Sequence, residues 1–141
     1  MDFLHYLEEV RGMHLSLGTY AILGSGPLVI RGIRETKDVD LIVTPDIYEY
    51  YKKQKDWKLK FAYGNFFLRK GNVEIWKNIG FWKTRVNLRD FINRAELIGG
   101  LPFVNMQDFI CWKKKAFRKK DKRDVELAQA WISKNYRMNL R

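Results

Sequence analysis

Cysteine, histidine and proline are scarce in this chain, with one, two and three copies in 141 residues. Cys111, being alone, permits no intrachain disulfide and no thiolate metal site, so a reducing cytoplasm is the expectation. His5 and His14 have no partner at metal-ligand or catalytic spacing and receive no role. No apolar run approaches the roughly 20 residues that cross a bilayer. Residues 1–10 are acidic and amphipathic, unlike a secretory signal. Internal repeats, low-complexity tracts and interdomain linkers are missing as well.

What is present fits one globular domain over residues 1–141, with 46% hydrophobic residues and 15% Phe, Trp and Tyr to anchor a core. The formal net charge of +11 favours polyanionic partners such as nucleotides, RNA or an acidic protein surface. Much of the excess lies between Lys113 and Arg123, where eight of eleven residues are basic. Two readings fit that run: a polyanion contact, or a solvated lysine-rich surface. Neutralising Lys113, Lys114 and Lys115 is expected to separate them through the salt dependence of binding.

Apolar spacing near 3.6 predicts an amphipathic helix over 2–17, closed by Gly18. A short buried strand over 19–23 then breaks at Gly24-Ser25-Gly26, and Pro27 suits the first turn of a helix. Residues 38–44 alternate as a strand, with Asp38, Asp40 and Ile42 on one face and Val39, Leu41 and Val43 on the other. A tyrosine-rich helix over 47–55 follows, then a strand at 57–61. A hairpin of 65–69 with 73–76 turns at Lys70-Gly71-Asn72. A short helix near 88–94 and a strand near 95–98 complete a core of about 18–104. The C-terminal part, about 105–135, starts with Asn105 as helix N-cap. It continues in a second helix over 121–133, and 134–141 reads as a basic tail that frays. The order predicts an α/β (α+β) fold, a mixed sheet flanked by helices.

Asp38 and Asp40 at i and i+2 on a strand project from one face and repel each other unless a cation lies between them. Mg²⁺, a hard ion, takes one or two carboxylates together with substrate phosphates and water. Twelve residues upstream, Gly24-Ser25 forms a strand-to-helix turn whose backbone N–H groups suit phosphate. Together these residues read as a site for Mg²⁺ and a nucleoside triphosphate. Glu74, in Val73-Glu74-Ile75-Trp76, is the candidate third carboxylate. Alternation alone leaves it either outward-facing or convergent with Asp38 and Asp40. Trp112 and Phe117 can stack a base between basic residues or belong to the core, and Cys111 beside them is expected to be buried.

Leu23-Gly24-Ser25, twelve residues, Asp38-Val39-Asp40-Leu41 and then Val73-Glu74-Ile75 resemble, in order and spacing, the nucleotidyltransferase fold superfamily (the polymerase-beta-like group). Arg34-x-Thr36-x-Asp38-x-Asp40 and Lys113…Arg118-x-Lys120-Asp121-x-x-Asp124 are similar to its small members, the minimal nucleotidyltransferases and the AbiEii-type toxins. Glu74 stands where that pattern more often has Asp. The resemblance implies that Asp38, Asp40 and Glu74 are catalytic and hold metal. It implies that Gly24 and Ser25 hold β- and γ-phosphates, and that Lys113 and Arg118 assist nucleotide binding. Asp121 and Asp124 are expected to orient Arg118 and Lys120 or to begin the next helix.

The function so implied is Mg²⁺-dependent transfer of an NMP from an NTP to a hydroxyl of a protein or RNA acceptor such as tRNA, within a toxin–antitoxin system. A partner toxin or antitoxin chain and no membrane are part of that expectation. The alternative is a non-catalytic nucleotide- or RNA-binding module, or an antitoxin-type interaction protein of the same fold. Nothing in the sequence names the base of the nucleotide.

Overall fold

The computed structural model describes residues 3–77, 87–116 and 119–139. Along the chain lie α1 (Phe3–Gly12), β1 (Tyr20–Ile22), α2 (Gly26–Val29), β2 (Val39–Val43), α3 (Pro45–Lys52), β3 (Lys58–Ala62) and β4 (Asn65–Lys70). After them come β5 (Val73–Trp76), α4 (Leu88–Asn93), β6 (Glu96–Ile98), β7 (Leu101–Phe103), α5 (Met106–Ala116) and α6 (Lys119–Asn139). The strands form one seven-stranded sheet in the order β3-β4-β5-β2-β1-β7-β6. β2 pairs with β5, and β1 with β7, in parallel, and the other pairs are antiparallel, so the sheet is mixed.

The period-2 alternation of β2 divides the core. Val39, Leu41 and Val43 join Phe3, Leu7, Val10, Ile75 and Phe103 beneath α1, while Ile42 joins Ala21, Leu23, Phe91, Phe109, Trp112 and Ala128 on the opposite face. Asp40 therefore lies on the second face, the side covered in part by α4, α5 and α6. Phe109, fully buried, is worth about 3–5 kcal/mol against alanine there.

Several boundaries differ from the sequence expectation. α1 stops at Gly12 because Met13 and His14 donate back to Val10 and Arg11 at 3.1 Å each, and His14 takes a φ of 52°. Met13 and Leu15 still pack on the core, so their apolar character marked burial rather than helix. α6 begins at Lys119 and runs to Asn139, past the expected stop at 133 and into the region read as a fraying tail. The Asn135 amide donates to the Trp131 carbonyl at 2.8 Å, and the Arg31 guanidinium covers the Trp131 ring at 4.9 Å. β7 was not expected. It pairs with β6 across Gly99-Gly100, whose φ values of 59° and 80° suit a two-residue hairpin turn. Cys111 is exposed on α5, contrary to the expectation that it is buried. No helix among the described residues is long and apolar enough to cross a membrane.

Candidate active site

β1 lies beside the central strand β2, and the residues after it turn sharply. The Leu23 N–H still donates to the Asp40 carbonyl at 2.8 Å, which keeps the chain beside β2. Gly24 then takes a φ of +58°, a conformation open to glycine at no steric cost. Ser25 is buried and caps α2 through its backbone carbonyl, which accepts from Leu28 and Val29, while its side chain makes no capping bond. Ser25 and Gly24 both face a cavity of about 280 Å³.

Carboxylates line the same cavity beside them. Parallel pairing of β2 with β5 sets Asp40 against Glu74, and the register places both side chains on one face. This pairing answers what alternation left open: ligand oxygens of Asp38, Asp40 and Glu74 lie within 4.8 Å of one another. Glu74 is buried, not an outward-facing strand residue. Its Oε1 accepts from the Trp76 indole Nε1 at 3.2 Å, and its Oε2 accepts from Arg69. Tyr63, Phe67, Trp76 and Trp112 supply aromatic walls, with Phe67 and Trp76 stacked at 4.2 Å.

The electrostatics of this carboxylate cluster are those of a site short of positive charge. Burial, then the charges of Glu74 and Asp38, push the Asp40 carboxyl well above the usual carboxylate range, partly opposed by Lys113. Asp40 Oδ1 is buried without a hydrogen-bond partner. A cluster of three carboxylates with one orphaned oxygen fits a hard, oxygen-liking cation of the Mg²⁺ or Mn²⁺ kind. The identity of the ion does not follow from this donor set.

Lys113 lies at the cavity but is committed elsewhere. Its ammonium, 2% exposed, is 3.0 Å from Asp121 and 3.2 Å from Asp124 and sits over the Trp112 ring at 4.9 Å. Asp124 also receives Arg34 at 2.5 Å. Asp121 and Asp124 thus take Lys113 and Arg34, a role the sequence reading did not give them. Their spacing at i and i+3 on a helix after a lysine was the available signal. Lys120 lines the cavity. Arg118 and Phe117 lie outside the described residues. Arg69 is the residue at this site that sequence reasoning missed; its only signal was its place opposite Glu74 in the hairpin.

No family model matches the chain, and no curated protein matches it in sequence. Among solved structures it is similar to a candidate nucleotidyltransferase from Thermotoga maritima, with 17% identity, 95% of this chain and 96% of that chain covered, and a TM-score of 0.54. At that identity the likeness concerns the fold: the chain has a nucleotidyltransferase-like mixed sheet flanked by helices.

Proposed function

We propose that this protein is a divalent-cation-dependent nucleotidyltransferase, moving a nucleoside monophosphate from a nucleoside triphosphate to a hydroxyl. The observation that carries this reading is the meeting of Asp38, Asp40 and Glu74, with Asp40 Oδ1 unpartnered, in the cavity that Gly24 and Ser25 also line. Three converging acids are of no use to a module that only binds an anion, which is the argument against the non-catalytic alternative.

In this reading Asp38, Asp40 and Glu74 hold Mg²⁺, whose chemistry is to polarise the α-phosphoryl group and neutralise charge on the leaving pyrophosphate. Gly24 and Ser25 hold the outer phosphates. Gly24 contributes close approach of backbone, and Ser25 a hydroxyl not used for capping. The acceptor oxygen would bond to the α-phosphorus as the bond to pyrophosphate breaks, with the hydroxyl proton lost to water. Glu74 acts as a fixed ligand, because both its oxygens already accept hydrogen bonds from Arg69 and Trp76. Trp112 and Tyr63 border the space available to the base. Lys113 organises the wall through Asp121 and Asp124, and Arg118 belongs to the same nucleotide-binding reading. The acceptor is an RNA end or a protein hydroxyl, in keeping with the +11 net charge for the first and with a toxin–antitoxin partner chain for the second.

Titration with each of the four NTPs, in Mg²⁺ and in EDTA, tests this beside Asp38→Ala/Asp40→Ala. Saturable binding that needs both metal and carboxylates is expected, followed by pyrophosphate release with an acceptor present. Equal binding in EDTA, or by the double variant, would refute the metal assignment.

A further inference from the structure

The pairing register continues the carboxylate row outward: Asp40 faces Glu74, Glu74 faces Arg69, and Arg69 faces Lys58. Four side chains on four adjacent strands therefore stand in one line on one face, two negative and two positive. Arg69 is anchored at both ends of its guanidinium. Its Nε donates to the Gly71 carbonyl in the β4–β5 turn at 3.0 Å. Its Nη1 donates to Glu74 Oε2 and lies 4.0 Å from Asp38 Oδ2. It reaches the acids from the β4 side, whereas Gly24 and Ser25 come from the β1 side. Charge can thus be neutralised without occupying the phosphate side of the cavity.

We propose that Arg69 is the built-in counter-cation of the Asp38–Asp40–Glu74 cluster, holding Glu74 in place when no divalent cation is bound and lowering the site's affinity for a free cation. This rests on reading the three acids as a divalent-cation site. Without a neighbouring cation, three carboxylates so close would drive the most mobile of them toward solvent. Glu74 stays because Arg69 and Trp76 grip one oxygen each. The same positive charge repels an incoming divalent ion. A cation arriving with triphosphate oxygens brings negative charge of its own, so the penalty falls chiefly on the free ion. Arg69 is therefore a positioning residue that biases the site toward the cation–nucleotide complex.

Arg69→Gln, Arg69→Lys, Asp40→Asn and the wild-type protein are compared by Mn²⁺ binding, read from the loss of the free-ion EPR signal, and by thermal melting in EDTA and in saturating Mn²⁺. Arg69→Gln is expected to bind free Mn²⁺ about tenfold tighter, to melt lower in EDTA, and to recover wild-type melting in Mn²⁺. Arg69→Lys, which keeps the charge, is expected to bind free Mn²⁺ within about twofold of wild type. If Arg69→Gln binds Mn²⁺ no tighter, or the Lys variant behaves like Gln, the proposal is overturned while the cation site stands. If wild type binds no more Mn²⁺ than Asp40→Asn, the cation site itself is wrong and the proposal goes with it.

Discussion

The backbone of Gly24 presses against the carboxylate of Asp40. A Cβ built on Gly24 would lie 2.0 Å from Asp40 Oδ2 and 2.8 Å from its Cγ. Residues from two strands thus share a space that admits a carboxylate and a bare backbone, and no side chain as well. Gly24→Ala forces Asp40 out of line with Glu74 and places a non-glycine residue at a φ of +58°. Strain of about 1–2 kcal/mol is expected from the backbone alone. In denaturant melts the variant should remain folded with roughly that loss, and in Mn²⁺ titrations it should lose most of its affinity. Wild-type Mn²⁺ binding by Gly24→Ala would show that Asp40 does not need this contact.

Lys113 holds the α5–α6 pair together rather than reaching outward. Asp121 and Asp124 are 0% and 1% exposed, so removing the ammonium takes one close positive partner from each buried carboxylate. Lys113→Met should cost about 3–5 kcal/mol in urea unfolding. Lys113→Met/Asp121→Asn, with one of the two buried negative charges removed, should recover a measurable part of it, while Asp124 keeps Arg34. Equal losses in the single and double variants would mean that Lys113 contributes packing alone.

Asp40 supplies the pH dependence. With its folded carboxyl pushed well above the usual range, it takes up a proton at a pH where the unfolded chain, near about 3.9, is still ionised. Its contribution to stability therefore rises as pH falls from the folded value toward the unfolded one, and the charged form costs stability above that window. In EDTA, Asp40→Asn should be more stable than wild type at about pH 8, by on the order of 1 kcal/mol. The gap should narrow as the pH is lowered toward about 5. A gap independent of pH would assign the effect to packing instead of charge.

Local chemistry was legible in the sequence where local rules decide it. Alternation in Asp38–Val39–Asp40–Leu41 gave the face of each side chain, the Gly24-Ser25-Gly26-Pro27 run gave the turn into α2, and Asn105 does cap α5, accepting from the Asp108 N–H at 2.8 Å. Pairings made across the fold were not legible. Glu74 meets Asp40 only because β5 lies parallel to β2, a register set by burial of Val73 and Ile75 against the core. β7 is a three-residue run that contains Pro102, a residue type that rarely sits within a strand. The Gly99-Gly100 pair before it is the sequence feature that favours its hairpin with β6. Lys113 looked like its neighbours in a basic run, since composition carries no information on which lysine faces two aspartates of the next helix.

That run now separates by burial, and the separation predicts what it binds. Lys113 is buried, whereas Lys114, Lys119 and Lys122 are exposed around an open cleft beside Val125 and Glu126. Exposed lysines such as these three can release counterions from a polyanion, whereas buried Lys113 cannot. Lys114→Ala/Lys119→Ala/Lys122→Ala should leave stability within about 0.5 kcal/mol of wild type, because no buried partner is lost. Its binding to a single-stranded RNA should weaken uniformly across sequences. The slope of log affinity against log salt should become shallower by about 2, at roughly 0.7 per phosphate contact. An unchanged slope would assign these lysines to solvated surface and turn the search for an acceptor from RNA to a protein hydroxyl.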